Sequence, residues 1–300
     1  MKKIFNILSQ GGIGDALLLT PALRAIKKQY PFSRTHIFCG TLAHLQIFKN
    51  NPFVDKLIGK SLWKHPIRTV IAMQGWGKYN YVSDYGAWLP SLTSDKYAAE
   101  IIAEMLGVAL STENVELFLS AKEEARARKL LSGYKNCVVI HVKAEFSPNK
   151  DWIPERWTEL IKRNPQYTFV QIGRVSEDYV QGCIDFRGLS IRDQFGIIKC
   201  ASAFVGVDSL FAHAAAALGT KAVVLFGPTT PVIWGHPNNL DLYAGLRCSP
   251  CMDILRWQPC PYGKECMVQL TVTKIETALS VAMLSTKSEK QLGTAGADRT

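Results

Sequence analysis

The sequence contains no apolar run that could cross a bilayer as a helix, which takes about 18 residues. It does not open with a secretory leader either. The short apolar run Ile4 to Leu8 after Met1-Lys2-Lys3 is broken by Ser9, Gln10, Gly11 and Gly12, too early for a leader's apolar core. These absences predict a cytoplasmic protein, at most touching the inner face of the membrane. A basic tract is also missing. The 35 Lys and Arg outnumber the 25 Asp and Glu and leave a formal charge of +10. They are scattered along the chain, which favours a phosphorylated small substrate or an acidic membrane-surface acceptor over nucleic acid. Finally, no complete GxGxxG is present. Counting from Gly11 or from Gly12, Ile13 or Leu17 stands where glycine is needed, which argues against a dinucleotide-dependent oxidoreductase.

What is present is two successive series of alternating strands and helices. Lys3 to Leu8 reads as a strand, Gly11-Gly12 as its turn and Ala16 to Tyr30 as a helix, a Rossmann-like opening. Thr35 to Cys39, Val54 to Ile58 and Thr69 to Met73 read as further strands. Leu42 to Phe48 and Tyr97 to Leu106 read as helices. The segment from Gly75 to Pro90 is aromatic and has no clear period. After a charged helix, Glu123 to Leu131, the alternation restarts beyond Gly133 with strand Val138 to Val142. Helix Pro154 to Arg163, strand Tyr167 to Ile172, a helix near Arg192 to Cys200 and strand Ala203 to Val207 follow. Helix Phe211 to Leu218 and strand Ala222 to Phe226 complete the series. The pattern predicts an α/β protein of two Rossmann-like domains facing a cleft, residues 1–133 and 134–284. The polar end, 285–300, is expected to be a disordered tail.

Four clusters carry candidate chemistry. In Gly11-Gly12-Ile13-Gly14-Asp15 the glycines let backbone approach a ligand, so Gly12 and Gly14 line a cleft loop. Asp15 is either a plain helix cap or a base able to take the proton of an attacking hydroxyl. Lys150 lies in a loop before a helix, where a lysine offsets diphosphate charge or is simply solvated. Asp208 and Ser209 open the alanine-rich helix that carries His213, and a helix N-terminus suits phosphate. The turn holding Gly227, Pro228, Thr229 and Thr230 would border the same cleft.

Taken in order, these clusters resemble glycosyltransferase family 9, the ADP-heptose:lipopolysaccharide heptosyltransferases. Gly12-x-Gly14-Asp15 with Leu18-Leu19-Thr20-Pro21-Ala22-Leu23-Arg24-Ala25 is similar to the family's opening. Asn51-Pro52-Phe53-Val54-Asp55, Lys150-x-Trp152, Asp208-Ser209-x-x-x-His213 and Leu225-Phe226-Gly227-Pro228-Thr229 match further positions, from about residue 3 to 280. The resemblance implies a GT-B architecture, with acceptor on the N-terminal domain and nucleotide sugar on the C-terminal one. It also implies inverting transfer that needs no cofactor for catalysis. Asp15 matches the family's base, Lys150 its diphosphate-binding lysine, Ser209 and His213 phosphate-contacting positions, and Glu177 a carboxylate that holds ribose hydroxyls. The implied donor is ADP-heptose. The implied acceptor is a lipopolysaccharide core, another anionic glycolipid or glycan, or a protein side chain. Two departures stand out: Leu210 replaces a common glycine, and Glu145 lies in a loop that is commonly small. Both lend support to an alternative, a catalytically degenerate protein that binds nucleotide sugar without transferring it.

Of the eight cysteines, Cys39, Cys137, Cys183 and Cys200 read as small core residues. Cys248-x2-Cys251-x8-Cys260-x5-Cys266 is either a structural zinc or iron site, as its CxxC half suggests, or a compact loop of reduced thiols.

Overall fold

The computed structural model describes residues 3–59, 81–83, 95–251 and 258–297, with side chains for all but 81–83 and 287–297. The strand expected at Thr69–Met73 lies outside these residues, as does nearly all of the aromatic segment 75–90. The chain divides into two compact units, Met1–Ser120 and Ala121–Thr300.

The first unit holds a parallel sheet of β1 (Ile4–Ser9), β2 (Arg34–Cys39), β3 (Lys56–Ile58) and β4 (Tyr81–Ser83), in the order β3-β2-β1-β4. β1 is buried from Phe5 to Ser9, as a strand covered on both faces must be. It feeds the glycine loop and then helices Asp15–Leu18 and Thr20–Gln29, the second started by Pro21 in its first turn. The buried Thr20 ties this entry down, giving its hydroxyl to the Leu17 carbonyl at 2.7 Å and accepting the Glu116 N–H at 2.8 Å.

The second unit holds a parallel sheet in the order β10-β9-β8-β5-β6-β7. Its strands are β5 (Cys137–His141), β6 (Thr168–Gln171), β7 (Ile184–Asp185), β8 (Ala203–Val207), β9 (Ala222–Phe226) and β10 (Leu240–Tyr243). β5, β8 and β9 are buried at every position, which explains why they read as unbroken apolar runs. Strand order reverses between β5 and β8, and in sheets of this kind ligands bind at the carboxyl ends of the strands flanking such a reversal. β1 and β4 flank the corresponding reversal in the first sheet.

Helix Ala121–Leu130 belongs to the second unit, so the division falls before this helix and not after it at Gly133. The reason is packing against helix Ile191–Cys200. Gly196 lets the helices meet so closely that a Cβ there would lie 2.9 Å from that of Ala127, and Arg192 forms a buried 2.8 Å ion pair with Glu123. Residues 285–297, expected as part of a disordered tail, continue helix Val272–Ala297, whose Thr286 hydroxyl donates to the Ser202 carbonyl at 3.0 Å. The chain leading into this helix is clamped to the start of helix Pro154–Arg163: the buried Trp152 indole N–H donates to the Leu270 carbonyl at 2.7 Å and Arg156 to that of Val268 at 2.6 Å. Trp152 and Trp157 meet edge to face at 5.0 Å beneath it.

Candidate functional site

The glycine loop of the first unit closes on itself. Gly12 N–H donates to Asp15 Oδ2 at 3.0 Å, and the Asp15 N–H returns to the Gly12 carbonyl at 3.1 Å. A Cβ on Gly12 would lie 3.1 Å from that carboxylate oxygen, so a side chain here would press on Asp15. Gly14 is the residue before helix Asp15–Leu18, and its carbonyl accepts the Leu17 N–H. Asp15 thus sits half-exposed at a helix start, its direction fixed by backbone. Beneath the loop lies His44, a residue that its apolar helix gave no reason to single out. Its ring is buried, takes a 2.7 Å contact from Thr41 Oγ1 and faces the Gly11 and Gly12 carbonyls.

In the second unit the carboxyl ends of β5, β8 and β9 bring Lys150, Asp208, Ser209, His213 and Thr229 together. Lys150, in the 3-10 turn Pro148–Lys150, places Nζ 2.7 Å from Asp208 Oδ2 and 3.3 Å from its carbonyl. Thr229 donates to the same carboxylate oxygen at 2.7 Å. Burial alone would raise the Asp208 pKa, but the Lys150 charge, His213 and these hydrogen bonds outweigh it and hold it below the ordinary value. Ser209 precedes helix Leu210–Leu218 without capping it through its side chain. Its Oγ instead meets His141 Nδ1 at 3.0 Å. The first-turn N–H groups of the helix point toward the strand ends, the arrangement that holds anions.

His141 also connects Glu177 to this group, with Nε2 3.5 Å from Glu177 Oε2. The Glu177 carboxylate lies over Gly173, whose φ of +130° and lack of a Cβ both suit glycine. Burial pushes the Glu177 pKa up, but hydrogen bonding and charge from His141, with the Arg174 N–H at 2.9 Å, bring it below the ordinary range. Glu145 is matched by Arg174, which grips both of its oxygens on the surface, so its charge is compensated in place.

Behind Asp208, His213 leads to two residues that the sequence did not single out, His236 and Asp241. His213 is buried, its Nδ1 2.7 Å from Nε2 of His236 and its own Nε2 3.8 Å from Asp208 Oδ1. Both imidazole nitrogens of His213 therefore face protein groups. Asp241, on β10, accepts the backbone N–H of His236, and burial pushes its carboxyl up to about 7. Burial lowers His213 to about 4 and His236 to about 3. These shifts set opposite slopes of stability with pH. An unfolded histidine takes up a proton below about 6.5, which the folded rings refuse, so stability falls as pH drops from 6.5 toward 4 and below. The folded chain keeps the Asp241 proton that an unfolded one loses above about 3.9, so this group costs stability as pH rises from there to about 7. Asp241→Asn is expected to raise unfolding free energy at pH 8 by on the order of 2 kcal/mol and to change it little at pH 4. Urea unfolding at both pH values checks this, and equal effects at the two would refute it.

The turn after β9 is strapped by the cysteine segment. A Cβ on Gly227 would collide with Met267 and lie 3.2 Å from Cys266 Sγ, Cys251 N–H donates to the Pro228 carbonyl at 2.9 Å, and Ser249 Oγ donates to the Gly227 carbonyl. Cys248, Cys251, Cys260 and Cys266 are all free thiols. Burial raises the Cys251 pKa to about 11, with the three other thiols adding to it. Among the described residues, however, no three His, Cys, Asp or Glu side chains are gathered so as to hold a metal ion. No helix among the described residues is long and apolar enough to cross a membrane.

Residues 189–258, which contain Asp208, Ser209, His213, Gly227, Thr229 and His236, match the model of glycosyltransferase family 9 (heptosyltransferase). No curated protein matches the chain in sequence. Among solved structures, a glycosyl transferase family 9 protein from Veillonella parvula superposes with a TM-score of 0.74 at 16% identity, covering 94% of this chain and 97% of its own. The ADP-heptose LPS heptosyltransferase II of Escherichia coli gives 0.68 at 17% identity, covering 95% and 99%. The iron-containing dodecameric glycosyltransferase TibC from enterotoxigenic E. coli gives 0.70 at 16% identity, covering 95% and 77%. The α/β, GT-B fold expected from the motifs is the fold these proteins share. Over residues 189–258 the chain is thus similar in sequence to glycosyltransferase family 9, and its fold is similar to that of solved members of that family.

Proposed function

We propose that the protein transfers a sugar from a nucleoside diphosphate to an acceptor hydroxyl with inversion at the anomeric carbon, and that the donor is ADP-heptose. The observation that carries this reading is the buried Lys150–Asp208 pair beside the N-terminus of helix Leu210–Leu218, at the strand reversal of the second sheet. A cation held in place before the ligand arrives costs little reorganisation when negative charge develops on a leaving diphosphate. Lys150 has three N–H donors, two of them directed at Asp208, which leaves one for a phosphate oxygen. The helix N–H groups and His213 supply further donors, while Glu177 accepts from the ribose hydroxyls. ADP-heptose is supported by the name of the E. coli relative.

Asp15 serves as the base. As the acceptor oxygen attacks the anomeric carbon, its proton passes to the Asp15 carboxylate and the sugar–phosphate bond breaks. The nucleoside diphosphate departs with the bonding electrons, neutralised by Lys150. The first unit binds the acceptor and the second the donor. The formal charge of +10 supports an anionic glycolipid at the inner membrane face as acceptor, with a core glycan or a protein side chain as other classes.

The test is calorimetric titration with ADP, UDP, GDP and CDP. ADP is expected to bind selectively, and Lys150→Ala to weaken it about tenfold to a hundredfold, the range of a hydrogen bond between charged groups. Preference for another nucleotide would remove heptose and leave transfer standing. Binding of none would overturn the donor assignment. Binding with neither hydrolysis nor transfer would favour the degenerate alternative, which the Cβ of Leu210 at the helix start also favours.

A further inference from the structure

His213 and His236 meet in the interior of the second unit, Nδ1 of the first 2.7 Å from Nε2 of the second, with the rings edge to face at 5.0 Å. Burial keeps both rings neutral, so a single proton lies between these two nitrogens and one ring must donate. The surroundings decide which. On its other side His213 turns Nε2 toward Asp208 Oδ1, 3.8 Å away, and Asp208 is kept ionised by Lys150 and Thr229. A bare nitrogen lone pair aimed at a carboxylate is repelled, whereas an N–H is attracted. His213 is therefore protonated on Nε2, its Nδ1 accepts, and His236 Nε2–H donates.

His236 is held for this task by its backbone. Its N–H is accepted by Asp241 and its carbonyl takes the Asn239 N–H at 3.0 Å. The preceding residue is Gly235, where a Cβ would collide with the Asp241 carboxyl and lie 2.5 Å from the Pro231 carbonyl. Only a residue without a side chain lets the loop pass here and bring the ring beneath His213. Asp208, from the end of β8, and Lys150, from the 3-10 turn, are charged groups that act on the rings, while Thr229 bonds Asp208 and Asp241 bonds the His236 backbone.

We propose that His236 is a positioning residue of the donor site: by donating to Nδ1 it holds the His213 ring so that the Nε2–H favoured by Asp208 faces the Lys150–Asp208 pair and is presented to a phosphate oxygen of a nucleoside diphosphate. The ligand in this inference rests on the proposed function; the tautomer does not.

Long-range nitrogen–proton correlation spectra of the full chain at pH 7, with the histidines assigned by single substitutions, read the tautomer directly. His213 is expected to show the Nε2–H pattern. His236→Phe removes the donor and is expected to leave the Nε2–H tautomer favoured by Asp208 in place while moving the His213 Nδ1 resonance to that of an acceptor without a partner. His236→Gln, whose amide nitrogen can take the place of Nε2, is expected to restore the original pattern and also serves if the Phe variant does not fold. In parallel titrations, His236→Phe is expected to weaken ADP about tenfold and leave adenosine unchanged, with the Gln variant near wild type. An Nδ1–H tautomer in the wild type, an unchanged His213 in His236→Phe, or equal losses for ADP and adenosine would each overturn the proposal. If the wild type binds no nucleoside diphosphate, the donor assignment fails, and the spectra still decide the tautomer.

Discussion

Asp15→Asn is expected to leave melting temperature and ADP affinity near wild type while lowering sugar transfer by about 10²- to 10⁴-fold, the usual contribution of a general base. The expected separation follows from geometry. In the loop, Asp15 accepts the Gly12 N–H at 3.0 Å. An asparagine oxygen accepts that bond equally well, so the loop and the helix start keep their shape. What the amide cannot do is take a proton from a hydroxyl, and acceptor attack then depends on solvent. In the proposed assignment the donor is held by residues of the second unit, so its affinity has no reason to change. Steady-state transfer with ADP-heptose and a lipopolysaccharide-core acceptor, alongside ADP titration, measures both sides. Transfer at the wild-type rate would remove Asp15 as the base, and loss of both stability and turnover would make it a structural cap.

The second large effect concerns Asp208. Its side chain is almost wholly enclosed, and it holds Lys150 at 2.7 Å and the Thr229 hydroxyl at 2.7 Å. Asp208→Ala leaves the half-buried ammonium of Lys150 without its counter-charge and is expected to cost about 3–5 kcal/mol of unfolding free energy, together with loss of nucleotide binding. Asp208→Asn keeps an acceptor for Thr229 and is expected to cost less. The informative comparison is Lys150→Met with Asp208→Leu, which removes both charges at once. Replacing an enclosed ion pair by apolar groups is often close to neutral, so the double variant is expected to recover most of the stability and none of the binding. Urea unfolding with parallel ADP titration distinguishes the outcomes. A double variant as unstable as Asp208→Ala would mean that Asp208 stabilises the fold through Thr229 and the chain around it rather than through Lys150.

How much of this was legible in the sequence depends on whether the deciding contacts are local. Val138 to Val142, Ala203 to Val207 and Ala222 to Phe226 read as strands because both faces of a central parallel strand are covered. Leu42–Phe48 and Pro154–Arg163 have the bounds read from sequence, set by Thr41 as cap in one case and Pro154 at the first helical position in the other. β10 escaped notice because Leu240–Tyr243 is a half-buried edge strand, and β7 because two residues carry no period. Lys150, Asp208, Ser209, His213 and Thr229 were legible as motifs, since each sits at a strand end or helix start. His141, His236 and Asp241 were not. His141 ends an apolar strand and finds Ser209 68 residues later, while His236 reaches back 23 residues to His213. Such pairings are made by strand order, which periodicity does not encode. The one available signal was a polar residue closing a buried strand.

The clamp between Trp152 and Leu270 bears on the order in which the protein is made. The first unit is continuous in sequence, so every strand of its sheet has left the ribosome while the second unit is still being translated. The second unit has no such freedom. Its Trp152 indole N–H finds its acceptor 118 residues downstream, and Arg156 likewise reaches Val268 and Leu270. Cys266, Met267, Ile275, Leu279 and Met283 share one core with β5, β8 and β9. Until that stretch emerges, apolar strand faces and an indole N–H that burial would strand without an acceptor both stay open to solvent. The second unit must therefore wait for its last-made helix, and the anion site at its strand ends is completed late in synthesis, after the first unit has had its whole chain available.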